Sequence, residues 1–171
     1  SHRDLSSGNI FVAPDDRIYL IDLDSLFHPS LAFPPNTTAG TNGYMARFLR
    51  GPSGDWDASR SWCACSDRFA MALLIAEFLL VGLNTPAPQE DGTLFSQAQL
   101  TQPDDAFVKE QTDSLWRIGR ECGLLLWKAL RATTFDAVLR QVIGKRHCGG
   151  SCQPMEVTAR TAPSPRGVAQ W

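Results

Sequence analysis

The sequence predicts a mainly α-helical domain with one short β-hairpin, an α+β class. Three observations carry this. Residues 67–83 are apolar on nearly every face, residues 105–131 are dense in Leu and Trp, and two short β-branched and aromatic segments stand at 10–14 and 17–23. The 171 residues suit one domain, or part of a larger one.

Ile10-Phe11-Val12-Ala13-Pro14 and Arg17-Ile18-Tyr19-Leu20-Ile21-Asp22-Leu23 are separated by Asp15-Asp16 and read as the hairpin. Residues 28–62 are rich in Pro, Gly, Asn, Ser and Thr and read as a long loop. A loop of that length inside a domain is usually functional or disordered. The 67–83 segment reads as a helix buried all round, with Ser66 or Asp67 as its N-cap. Residues 84–104, with Pro86, Pro88, Gly92 and Pro103, read as a second loop. One or two helices follow over 105–131, with a break at Gly119 or Gly123. Phe135, Val138, Leu139, Val142 and Ile143 recur at helical spacing, with Thr134 as start and Gly144 as stop. The 145–171 segment has few large apolar residues and reads as a disordered tail. The domain expected is therefore 1–144.

Lys plus Arg is 16 and Asp plus Glu is 18, for a net charge of -2. That balance argues against a nucleic-acid partner. The longest apolar run, 69–83, is interrupted by Glu77, whereas a membrane span needs about 20 residues. No membrane partner is expected. The polar start and five cysteines suit free thiols in a reducing cytoplasm. His147, Cys148 and Cys152, even with Cys63 and Cys65, have atypical spacing for zinc. His28 reads as a turn residue.

Two aspartates frame the hairpin. Asp4 lies in His2-Arg3-Asp4-Leu5-Ser6-Ser7-Gly8-Asn9, and Asp22 lies 18 residues later. The hairpin between them would set their loops side by side. A carboxylate, an amide oxygen and a second carboxylate facing one cavity suit Mg²⁺, which keeps waters and phosphate oxygens as ligands. A further Asp could orient an attacking hydroxyl and take its proton. Taken singly, Asp and Asn in loops are more often turn and cap residues; the joint order and spacing raise the functional reading.

At these residues the chain resembles the protein kinases. His2-Arg3-Asp4 with Asn9 is similar to the catalytic loop H-R-D-L-x-x-x-N. Asp22-Leu23-Asp24 stands where that family has D-F-G. Gly40-Thr41-Asn42-Gly43-Tyr44-Met45-Ala46 resembles the approach to A-P-E, and Ser66-Asp67-Arg68-Phe69-Ala70 resembles the start of the buried central helix. The resemblance runs from residue 1 to about residue 144 and implies a kinase-like C-terminal lobe, with the N-terminal lobe absent.

The resemblance also implies roles. Asp4 would be the catalytic base, with Thr41 bonded to it. Asn9 and Asp22 would hold Mg²⁺ on the phosphates of ATP. Arg3 would pair with a phosphorylated residue, either Thr37 or Thr38. Asp67 would anchor the catalytic-loop backbone. Ser6, where most Ser/Thr kinases carry Lys, and Asp24, in place of the D-F-G glycine, would be extra phosphate or metal contacts. Arg47-Phe48 replaces Pro-Glu of A-P-E, and Arg131 lies near the place of that glutamate's ion-pair partner. Loss of both members of a buried pair can be nearly neutral.

A kinase also needs a Gly-rich loop and a Lys–Glu pair, which would lie before Ser1. The expectation is a fragment of a longer parent, inactive alone, whose central helix is covered by the missing lobe or a partner. The function expected of the parent is transfer of the ATP γ-phosphate to hydroxyls of a protein substrate, in the cytoplasm. The alternatives are a non-catalytic pseudokinase-type interaction module and a small-molecule phosphotransferase of the aminoglycoside type. The Gly40–Ala46 motif argues against the last.

Overall fold

The computed structural model describes residues 1–34, 38–81 and 93–138. All of them fall within one compact unit, Ser1–Gln141. Thr37, residues 139–144 of the expected last helix, the 145–171 tail, and His147, Cys148 and Cys152 lie outside the described residues. The architecture is mainly helical with one two-stranded antiparallel sheet, an α+β arrangement.

The hairpin comprises β1 (Ile10–Val12) and β2 (Ile18–Leu20), in the register Ile10↔Leu20, Phe11↔Tyr19 and Val12↔Ile18. Its turn is built from Pro14, whose fixed φ suits a turn, and Asp16 at φ 62°. Asp16 N donates to Ala13 O and Ala13 N to Arg17 O. The ribbon has little cover on either face: Phe11, Val12, Ile18, Tyr19, Leu20 and Ile21 are all exposed.

Helix α1 (Asp67–Val81) is the centre of the core. Phe69, Leu73, Leu74 and Leu80 are almost fully buried along it. Burying one such side chain contributes about 1.5–3 kcal/mol, so α1 holds the unit together. Its outer stripe is different: Met71 is 46% exposed, Phe78 60% and Val81 52%. That stripe leaves an apolar strip facing solvent.

The 84–104 region is not all loop. Within its described part, α2 (Gln97–Thr101) forms a short helix with a full capping box: Ser96 Oγ accepts from Gln99 N, and the Gln99 side chain accepts from Ser96 N. The neighbouring Pro and Gly residues had masked that signal. Helices α3 (Asp105–Ile118) and α4 (Arg120–Arg131) are separated by Gly119 alone, the first of the two breaks expected. They pack along one another and against α1. Asp104 caps α3 by accepting from Phe107 N at 2.6 Å. Thr134 caps a 3₁₀ turn, Phe135–Ala137, at the start of the expected last helix. Within 28–62 the order is supplied by 3₁₀ turns at Arg47–Leu49 and Ala58–Ser61 and a bridge between Arg50 and Trp56. No helix among the described residues is long and apolar enough to cross a membrane.

Candidate functional site

The N-terminal loop is tied to the core by one carboxylate. Asp67, the first residue of α1, accepts from His2 N through Oδ2 and from Arg3 N through Oδ1, both at 2.7 Å. Bonds to an ionised acceptor contribute about 1.5–3 kcal/mol each. Asp67 thus spends its side chain on residues 64 and 65 positions away rather than on capping its own helix. The clamp holds Arg3 at φ 72°, a left-handed conformation rare for a residue of that size. Strain of this kind persists where surroundings enforce it.

The enforced turn presents Asp4. Its carboxylate is partly exposed, and Thr41 Oγ1 donates to Oδ1 at 2.7 Å. Asn9 Nδ2 donates to the Asp4 carbonyl, also at 2.7 Å. One bond restrains the side chain and the other its backbone. A cavity of about 20 Å³, room for a single water, lies beside Asp4, Thr41 and Asp67.

The hairpin brings Asp22 alongside. Ile21 N donates to Asn9 O at 3.1 Å, which extends the ladder by one step beyond Ile10↔Leu20. Asn9 and Asp22 therefore flank the same end of the ribbon. Asp22 is exposed and left-handed, at φ 59° and ψ 63°. His2 Nε2 lies 2.8 Å from Ile21 O and fastens the loop to this ribbon end. Because Ile21 O can only accept, Nε2 is the donor there, and Nδ1 is buried without a hydrogen-bond partner among the described residues.

The other expected site residues are placed differently. Arg3 is 6% exposed, and its guanidinium donates to Ser25 O, Ala58 O, Ser61 O and Ser61 Oγ. It also stacks 4.6 Å from the Trp62 ring, and burial lowers its pKa. The guanidinium thus bonds carbonyls of Ser25, Ala58 and Ser61, while Thr37, one of the two expected phosphorylation positions, lies outside the described residues. Thr38 is exposed. Ser6 is only 3% exposed. Asp24 is exposed in the 3₁₀ turn Leu23–Ser25.

Three residues that sequence reasoning left out organise the segment carrying Thr41. Gln97 of α2 accepts from Gly43 N at 2.9 Å and Met45 N at 3.3 Å, and donates to Met45 O at 2.9 Å. It pairs with that backbone as a strand would. Tyr44 donates to Glu77 Oε2 at 2.6 Å and lies 3.0 Å from the Ser7 hydroxyl. Glu77 Oε1 accepts from Leu94 N at 2.7 Å. Glu77 thereby joins the loop after Asp4, the Thr41 segment and the approach to α2. Its interruption of an apolar run was the available signal.

Burial, and then the Glu77 bond, push the Tyr44 phenol up to about 12 from 10.0. The unfolded chain then ionises first as pH rises. Stability from this pair is whole below pH 10 and is lost between about 10 and 12. In a Tyr19→Phe background, the tyrosinate absorbance of the one remaining tyrosine is expected to rise near 12, together with unfolding. A rise near 10 in the folded chain would show the Tyr44–Glu77 bond to be absent.

Among the described residues no three His, Cys, Asp or Glu side chains are grouped to hold a metal. The pair Asn9 and Asp22 offers two hard oxygen donors on an open ribbon end. That set suits Mg²⁺, which takes few protein ligands and completes its shell with water and phosphate. A wider cleft, about 410 Å³, lies between Phe33 and the 51–59 loop, with Trp56 in its wall. No protein-family model, curated protein or solved structure matches the chain.

Proposed function

We propose that the chain is the C-terminal lobe of a Ser/Thr protein kinase-like phosphotransferase, acting together with a nucleotide-binding lobe. The observation that carries this is the Asp4 carboxylate, held at Oδ1 by Thr41 and at its carbonyl by Asn9, with Asp22 at the same ribbon end. Thr41 leaves Oδ2 to act. That oxygen receives the proton of a substrate Ser or Thr hydroxyl as its oxygen bonds to the γ-phosphorus of ATP, while the bond to the β–γ bridging oxygen breaks and ADP leaves. Asn9 and Asp22 would hold Mg²⁺, whose charge offsets that of the nucleotide phosphates when bound. Asp67 and His2 are positioning residues for Asp4.

The departures from the kinase pattern are compensated locally. Phe48, at the A-P-E glutamate position, packs edge-on against Phe135 at 4.8 Å and Phe69 at 6.3 Å. Arg131 pairs instead with Asp105. An aromatic cluster thus stands in the place of an ion pair, and neither charge is left buried alone.

The second reading is a non-catalytic interaction module. It is favoured by the open stripe of Met71, Phe78 and Val81 and by an Arg3 already committed to carbonyls. The test is transfer of a labelled γ-phosphate from Mg-ATP to a generic Ser/Thr protein by a form that carries a nucleotide lobe. Labelled phosphoserine or phosphothreonine is expected. Mg-ATP that neither transfers phosphate nor shifts the melting temperature would favour the module. Label on an aminoglycoside in preference to protein would favour the small-molecule reading.

A further inference from the structure

Cys63 and Cys65 sit on the turn that leads into Asp67. Their sulfurs are 3.5 Å apart, and both residues are partly exposed. Cys63 ends a tight bend in which Cys63 N donates to Ser61 O, and residues 64–66 are a turn. Bridging two cysteines requires close Cα atoms and sulfurs able to reach about 2.05 Å. A turn keeps the Cα atoms of residues two apart close, so the remaining approach is about 1.5 Å of side-chain motion.

We propose that Cys63 and Cys65 are an oxidation site, a dithiol that a peroxide closes into an internal disulfide, and that closure loosens the Asp67 clamp on His2 and Arg3. The chemistry balances without any other reactant. The Cys63 thiolate attacks one oxygen of hydrogen peroxide, an S–O bond forms, the O–O bond breaks and hydroxide leaves. The Cys65 sulfur then attacks the Cys63 sulfur and expels the second hydroxide as the S–S bond forms. The two thiol protons convert both hydroxides to water. Two sulfurs lose two electrons and the peroxide gains them.

The order of attack follows from the surroundings. Burial, and then Cys63 itself, push the Cys65 thiol up to about 11. A thiol held back from ionising is the resolving sulfur, which leaves Cys63 to react first.

The link to Asp67 is a short chain of bonds. Cys63 O accepts from Ser1 Oγ at 2.7 Å, and Ser66 Oγ donates to Ser1 Oγ at 2.8 Å and lies 3.2 Å from Cys63 O. Arg68 N donates to Cys65 O. Drawing the sulfurs together moves the residues on both sides of Ala64, of which Cys63 is bonded to Ser1 and Ser66 and Cys65 to Arg68, and shifts the first turn of α1 against Ser1–Arg3. The inference does not rest on the kinase reading.

The test uses the full chain, reduced and then exposed to hydrogen peroxide, alkylated and cut after Arg. Ser61–Arg68 carries both thiols in one peptide. It is expected to become lighter by two hydrogen atoms and to escape alkylation, and Cys65→Ser is expected to abolish that species. Hydrogen exchange at the His2 and Arg3 amides is expected to quicken in the oxidised protein. Full alkylation after peroxide, or Cys63 joined to Cys122, Cys148 or Cys152, overturns the pairing. A Cys63–Cys65 disulfide with unchanged exchange at His2 and Arg3 overturns the link to the clamp.

Discussion

Asp4→Asn, in a form carrying a nucleotide lobe, is expected to lower phosphoryl transfer by roughly 10²–10⁴-fold, the usual contribution of a positioned general base. The amide keeps the shape of the carboxylate and an oxygen for Thr41 Oγ1, which lies 2.7 Å from Oδ1. The melting temperature is therefore expected to stay where it is. What the amide lacks is a basic oxygen for the substrate proton. Transfer at the unmutated rate would remove Asp4 from the chemistry, and a large fall in melting temperature would show that its role is structural.

Gly43→Ala is expected to be strongly destabilising, because both the backbone and the space at that position exclude a methyl. Gly43 has φ +85°, and an added Cβ would lie 2.5 Å from Thr93 Cγ2 and 2.8 Å from Thr93 Cβ. Thr93 is 4% exposed and β-branched, so it has little freedom to turn away. A left-handed L-residue costs about 1–2 kcal/mol, and overpacking adds roughly 1–3 kcal/mol. The sum, about 2–5 kcal/mol, corresponds to a fall in Tm of roughly 4–20 °C for a domain of this size. Gly54 is the internal control, because it has φ +88° and nothing within 4 Å of an added Cβ. Gly54→Ala should show the backbone cost alone. Equal losses for the two variants would mean that Gly43 does not press on Thr93.

The elements whose identity rests on side-chain pattern were legible in the sequence. The hairpin followed from its β-branched runs and α1 from an apolar surface with no polar side, while the α3–α4 break was narrowed only to Gly119 or Gly123 and falls at Gly119. Helix α2 was hidden because five residues between prolines have no period to read; Ser96-x-x-Gln99 was its one local sign. At the site, the residues His2, Arg3, Asp4, Asn9, Thr41 and Asp67 do come together. Their partners did not declare themselves. Gln97 lies 52 to 54 positions from the backbone it holds, and Glu77 lies 33 from Tyr44. Such pairings are set by how α1 and α2 pack, which no local spacing encodes. Arg3 shows the same limit from the other side: its charge was visible, while the carbonyls of Ser25, Ala58 and Ser61 that absorb it were not.

The hairpin has three residues per strand and exposed apolar side chains on both faces. A two-stranded ribbon of that kind is marginal by itself in water. Yet its ladder sets Asn9 against Ile21, the residue before Asp22. Formation of the ribbon and the placing of Asn9 and Asp22 at one end of it are consequently one equilibrium, not two. A contact that stabilises Phe11, Tyr19 or Ile21 in the ribbon would steady both residues without touching either.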